Sequence, residues 1–246
     1  MNNYLHDTHI HLDLYDNWET IVEEIERNHI YSLAVTNLPV LYEKSVQRVK
    51  SKFIKLALGF HPELVHKYKH FIPTMWKLIN NTDFIGEVGL NLQDVSQENK
   101  TIQIDFLSEL ISRCELQGGK ILSIHSKNSE TEILSIIPQK KVCTYILHWY
   151  SGSIYNLGLA IASGCYFSVN YAMMSSKKGI HIIEKIPLNR LLLESDGPFV
   201  LINNKLFQPK DINLIASKLS LILKIDIEEV RQNLSDNFNM IFKKSY

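Results

Sequence analysis

Short runs of apolar and β-branched residues recur along the chain, each followed by a stretch whose apolar positions fall at helical spacing. Eight runs have the length and composition of buried strands: residues 4–10, 32–36, 55–59, 84–88, 121–124, 144–147, 166–169 and 191–194. Helices are predicted over 18–28 and over 102–117, where Ile104, Leu107, Ile111 and Cys114 line one face. Two more close the chain, at 210–223 and 227–242; Asp226 stands as N-cap of the last, with Glu229 three residues on in a capping-box pattern. Strand and helix alternating eight times predict an α/β fold of the (β/α)8 TIM barrel type. An open doubly wound sheet alternates in the same way and is the competing architecture. With no Pro/Gly/Ser-rich linker in sight, residues 1–246 are expected to form a single domain.

In a barrel the C-terminal strand ends, with the loops that follow, form the active face. His9 and His11 lie two apart on the first strand, so their side chains share a face. The third strand runs into GFHP with His61, and the fourth, FIGEVGLN, carries Glu87 between glycines. The fifth ends at His125 in SIHSK, the sixth at His148 in LHWYSG, and the eighth at Asp196 in LLLESDGP. Singly each residue has a bland reading: a surface histidine, a satisfied core histidine, a turn-forming aspartate before Gly-Pro. Together they put seven imidazoles and carboxylates at six of the eight strand ends, and that concentration favours a metal site there. Neutral imidazoles and ionised carboxylates suit Zn²⁺, Mn²⁺ and related ions, and a pair of ions about 4 Å apart can activate water against a phosphodiester. No glycine-rich P-loop and no G-x-S-x-G elbow is present, which argues against nucleotide-driven and serine-nucleophile chemistry.

Composition changes this picture little. The 246 residues, 45% hydrophobic and 21% charged, are ample for a core. A formal net charge of zero argues against a surface that holds nucleic acid by charge alone. Cys114, Cys143 and Cys165 form neither a disulfide framework nor a C-x-x-C pattern and read as buried thiols. With no leader-like segment and no long apolar run, a cytoplasmic location away from membranes is expected.

Taken in order, DTHIHLD (7–13), GFHP (59–62), IGEVGL (85–90), SIHSK (123–127), LHWYSG (147–152), RLLLESDGP (190–198) and the closing NFNMIF (237–242) resemble the TatD family of metal-dependent deoxyribonucleases, within the amidohydrolase superfamily. The resemblance spans essentially the whole chain. It implies two divalent ions (Mg, Mn or Zn), the first held by His9, His11 and Asp196, the second by His125 and His148, with Glu87 bridging. It implies that Asp196 also deprotonates or orients the attacking water, and that His61 sits near the phosphate or a further ion. It implies hydrolysis of DNA, often by trimming single strands from the 3′ end. Divergent members of this kind also occur in bacterial anti-phage operons, including the Qat type, where protein partners would be expected.

Three positions depart from the family pattern. Asn91 stands where an aspartate is usual, bringing an amide without charge. Lys127-Asn128 replaces a basic-acidic pair, so Lys127 keeps a charge for phosphate without a bidentate fork. Trp149-Tyr150 replaces Cys-Phe; Trp149 is a candidate for stacking on a nucleobase, set against packing between barrel and helix. Lys67, Lys69 and the Lys177-Lys178 pair read either as a nucleic-acid steering charge or as a solvated surface. Two other functions compete with the nuclease: a related amidohydrolase acting on a different substrate, and a catalytically weak metal-bearing scaffold.

Overall fold

The computed structural model describes residues 5–242; Tyr4, the first residue of the expected first strand, lies outside the described residues. Eight strands appear where the apolar runs place them: β1 (His6–Ile10), β2 (Tyr31–Ala34), β3 (Ile54–Leu56), β4 (Phe84–Gly89), β5 (Ile121–His125), β6 (Thr144–His148), β7 (Tyr166–Val169) and β8 (Leu191–Leu193). A hairpin absent from the expected pattern follows, β9 (Leu201–Ile202) and β10 (Lys205–Leu206). The chain divides into two compact units.

The first unit holds the residues up to Ala34, Val49–Lys55 and everything from Tyr166 on. β1 runs parallel to β2, with Asp7 opposite Ser32, and β7 parallel to β8. Every residue of β1 is buried, so its polar groups, side chain and backbone alike, need partners inside the protein. The segment around β8 supplies them. Leu193 N–H donates to His6 Nε2 at 3.1 Å, Thr8 Oγ1 donates to the Leu193 carbonyl at 3.0 Å, and Asp196 N–H donates to the His9 carbonyl at 2.9 Å. His11 N–H then donates to the Gly197 carbonyl at 2.9 Å, which ties the segment after β1 to the segment after β8.

The closing helix Ile227–Phe242 buries Val230, Leu234, Phe238 and Phe242 at four-residue intervals. Asp226 caps it by accepting the N–H of Glu228 at 2.8 Å. The helix expected over 210–223 begins at Ile212, after a 3₁₀ turn at Pro209–Asp211.

The second unit comprises Val35–Arg48 and Leu56–Cys165. Here β4, β5 and β6 pair in parallel, and β4 is buried along its whole length, as expected of a strand covered on both faces. The helix Gln97–Gln117 packs Phe106, Leu107, Leu110, Ile111 and Cys114 inward. It starts five residues before the expected boundary because Ser96 accepts the N–H of Asn99, and the polar first turn carries no apolar periodicity to reveal it.

The third strand is shorter than expected, ending at Leu56; beyond it the pairing continues as an isolated parallel bridge between Leu58 and Ile85 of β4. Gly59 N–H turns to the Thr36 hydroxyl at 3.0 Å, and Thr36 in turn brackets β4, giving its N–H to the Gly86 carbonyl and taking the N–H of Glu87. Only glycine fits there: a Cβ on Gly59 would lie 1.6 Å from the Thr36 carbonyl oxygen. Gly89 is held as tightly, with φ at 143° and space for a Cβ only 2.0 Å from the His125 carbonyl oxygen. These two close approaches set the positions of His61, Glu87 and His125.

Candidate metal centre

In the first unit, the strand-to-segment bonding brings His9, His11 and Asp196 together, all buried. The two Nε2 atoms lie 3.2 Å apart, and Asp196 Oδ1 lies 3.7 Å from that of His9 and 3.6 Å from that of His11. Donor atoms around one ion with bonds of about 2.0–2.2 Å stand about 3.0–3.6 Å apart, so this spacing fits a common divalent ion. Asp196 sits in the left-handed region at φ 45°, a conformation that costs a non-glycine residue energy and concentrates at functional positions.

Asp7 supports the set from below. Its Oδ1 accepts the N–H of Ser195 at 2.9 Å and of His9 at 3.3 Å, binding the two ligand-bearing segments to one carboxyl group. Burial pushes the Asp7 carboxyl up to about 7, against the pull of its hydrogen bonds from Ser195 and His9. Glu194, which the sequence pattern did not single out, is fully buried nearby; Ser168 Oγ donates to its Oε2 and Asn170 Nδ2 to its Oε1 at 2.9 Å.

In the second unit, Glu87 Oε1 is ringed by three imidazoles. His125 Nδ1 lies at 2.8 Å, His148 Nε2 at 2.9 Å and His61 Nε2 at 3.5 Å. His61 thus stands among the ligand-type residues, its Nε2 grouped with Glu87 and His125. The buried Nε2 of His125 has no hydrogen-bond partner among the described residues, an unsatisfied lone pair or proton that a bound cation or its water would satisfy. Burial pushes His125 down, toward the neutral imidazole that binds metal, although Glu87 opposes it. For His61, burial pulls down as well, but the Glu87 and Glu63 carboxylates outweigh it and its pKa rises.

His61 is also the N-cap of the short helix Pro62–Val65, its Nδ1 accepting the N–H of Glu63 at 3.3 Å. Glu63 in turn accepts from Asn91 Nδ2 at 2.5 Å, and Asn91 is clamped by Gln103, whose side-chain amide binds both its N–H and its carbonyl. Of the residues expected at the substrate, Lys127 is exposed on the turn after β5, and Trp149 is half-buried directly after His148 with φ 41°. The lysines at 67, 69, 177 and 178 are all exposed, and Lys69 lies 3.8 Å from Glu98.

Paired imidazole and carboxylate donors at ligand spacing, on parallel strands of an α/β fold, define a metal-dependent hydrolase. The chain belongs to the TatD-related DNase family, whose sequence pattern matches residues 6–243. It is 27% identical over 264 residues to an uncharacterised metal-dependent hydrolase of Buchnera aphidicola, covering 97% of this chain and 99% of that one. It is 24% identical over 262 residues to mouse TATDN3, a protein whose name proposes a deoxyribonuclease, covering 97% and 88%. The crystal structure of YjjV, a TatD homolog from Escherichia coli K12, superposes with a TM-score of 0.80 at 18% identity over 97% of this chain and 98% of that one. The fold shown by that likeness is α/β, with the element order of the (β/α)8 barrel expected from the sequence. Among the described residues, no helix is long and apolar enough to cross a membrane.

Proposed function

We propose that the whole chain, residues 1–246, acts as one hydrolase domain that cleaves DNA phosphodiester bonds, trimming single strands from the 3′ end with two divalent ions. The observation that carries this reading is the pair of ligand sets: His9, His11 and Asp196 within 3.7 Å of one another in one unit, and imidazoles closing on Glu87 Oε1 in the other. The first set would hold one ion, and Glu87, His125 and His148 the second. Ions bound there supply a more acidic water and neutralise charge on the phosphodiester.

The protein's own groups do the rest. The Asp196 carboxylate accepts the proton of the attacking water, and its backbone N–H, bonded to the His9 carbonyl, keeps it in register with the histidine pair. Glu87 holds His125 and His148 in fixed orientation through Oε1. His61, whose Nδ1 accepts the Glu63 N–H, carries its proton on Nε2 and is suited to donate it to a phosphate oxygen. Lys127 adds a point charge toward the nucleic-acid backbone, and Trp149 an aromatic surface for a base.

The direct test is incubation of purified protein with end-labelled single-stranded DNA and Mg²⁺ or Mn²⁺, beside EDTA and Glu87→Gln. The reading expects ion-dependent shortening, lost with EDTA and reduced at least 100-fold in Glu87→Gln, with the ladder giving the polarity. Wild-type protein that binds ions yet leaves DNA intact would move the substrate to another class of hydrolysable bond.

A further inference from the structure

Immediately after the Asp196-Gly-Pro turn the chain exposes three large apolar side chains: Phe199 is 58% exposed, Leu201 53% and Leu206 47%. They belong to the β9–β10 hairpin and its lead-in, and the pattern there is regular. Leu206 pairs directly with Leu201, so those two project from one face, and Phe199 stands exposed in the turn that leads into β9. Val200 and Phe207, which alternate with them, are buried. A chain that buries one face of a hairpin and leaves the other apolar in water carries a cost that an occupant removes.

The exposed face adjoins the first ligand set. The Phe199 ring meets the His11 imidazole edge-on, with centroids 5.1 Å apart and planes at 83°. Phe199 N–H donates to the Asp196 carbonyl at 2.9 Å, so ring and carboxylate ride on one short segment.

The hairpin is also stiff. Asn203 and Asn204 turn it with φ of 51° and 60°, the two-residue geometry that matches strand twist. Phe207 N–H donates to the Val200 carbonyl at 2.8 Å, and Tyr15 Oη donates to the Phe207 carbonyl at 3.1 Å.

We propose that Phe199, Leu201 and Leu206 form a stacking platform for the terminal bases of single-stranded DNA. This deepens the functional reading above and rests on it. A flat ring flanked by two branched aliphatic side chains offers no hydrogen bond to a base edge. It recognises the π-face that every base shares, which gives a sequence-tolerant grip. A second copy of the chain is a poorer occupant, since three side chains fall far short of the 20–30 residues a side that a stable protein interface uses.

The test measures binding separately from cleavage. A fluorescent single strand with non-cleavable phosphorothioate linkages is titrated with Mn²⁺-loaded protein, against the same strand made abasic at its terminal positions. The expected result is that Phe199→Ala weakens binding of the normal strand about 5- to 100-fold. Phe199→Trp keeps it. The abasic strand binds wild type weakly and loses little more in Phe199→Ala, so the two losses do not add. Bound Mn²⁺ per chain, measured alongside, stays at the wild-type value, which separates lost stacking from damage at His11.

Equal binding by wild type and Phe199→Ala, or equal binding of normal and abasic strands, overturns the platform even if trimming is normal. So does a wild-type dimer that Leu201→Asp with Leu206→Asp converts to monomer, because a second copy then covers the face. Base- and Phe199-dependent binding without any cleavage would instead keep the platform and remove the nuclease reading.

Discussion

Asn91 gives its side-chain amide to a Glu63 carboxylate oxygen at 2.5 Å, and a carboxylate could not take its place there without repulsion. That contact accounts for the amide at a position where the family resemblance puts an aspartate. Its charge is not lost from an ion; it would be set against a neighbouring acid. Asn91→Asp is expected to lower stability by about 1–2 kcal/mol near pH 7.5. The sign follows from proximity: one carboxyl of the pair is held protonated to higher pH in the folded state than in the unfolded chain. The penalty is therefore absent below about pH 4 and grows as pH rises toward neutrality. Urea midpoints at pH 4 and 7.5 check this; an equal difference at both would refute it.

The same residue shows what a linear pattern conceals. Glu63 and Asn91 are 28 positions apart, and neither lies in an apolar rhythm that would pair them. His9 and His11, by contrast, were legible as a unit because a strand puts alternate residues on one face. Glu194 and Phe199 were missed for a related reason. Nothing in LLLESDGPFV says that the glutamate is sealed among Ser168 and Asn170 while the phenylalanine faces water.

At the level of elements, the apolar runs were strong signals: β7 matches the expected 166–169, and β5 and β6 each extend one residue beyond expectation. Ends set by polar groups were weaker signals, as the Ser96-capped start of the Gln97–Gln117 helix and the early end of β3 show. One such polar joint carries a prediction. Near the end of that helix, Glu115 accepts from the Tyr145 hydroxyl at 2.6 Å and from the N–H groups of Val142 and Cys143 at 2.8 and 3.2 Å, fastening the helix to the start of β6. Partial burial raises the Glu115 pKa, but these donors together outweigh it and the net shift is downward. A carboxyl lowered in the folded state stabilises above its unfolded value near 4.3, and that contribution fades as pH falls through the folded value. Glu115→Ala should cost about 1–2 kcal/mol at pH 7, allowing for solvent screening, and the gap from wild type should narrow in acid. Chemical denaturation followed by circular dichroism at pH 7 and pH 3 measures both.

For the whole molecule, ions that bind only the folded chain must stabilise it. At a free ion concentration 100 times the dissociation constant, each site adds about 2.7 kcal/mol. In a chain of this size that is roughly 5–10 °C in Tm for each site. Calorimetry after chelation should show the loss, and re-addition of Mn²⁺ the recovery. Asp196→Asn and Glu87→Gln should each forfeit part of the recovery, one for each ligand set. A Tm indifferent to chelation and re-addition would deny that either set holds an ion.

The pairing of His9 and His11 with Asp196 has a consequence for a chain still being made. Residues 61, 87, 125 and 148 have all been synthesised before the ribosome reaches the middle of the last hundred residues, whereas the donors nearest the N-terminus must wait for residue 196. The ligand set begun first is the last to be completed. A nascent polypeptide, or one cut short by a premature stop codon before that aspartate, carries the H-x-H pair but lacks its carboxylate partner, and so cannot assemble that set beside the messenger RNA that encodes it.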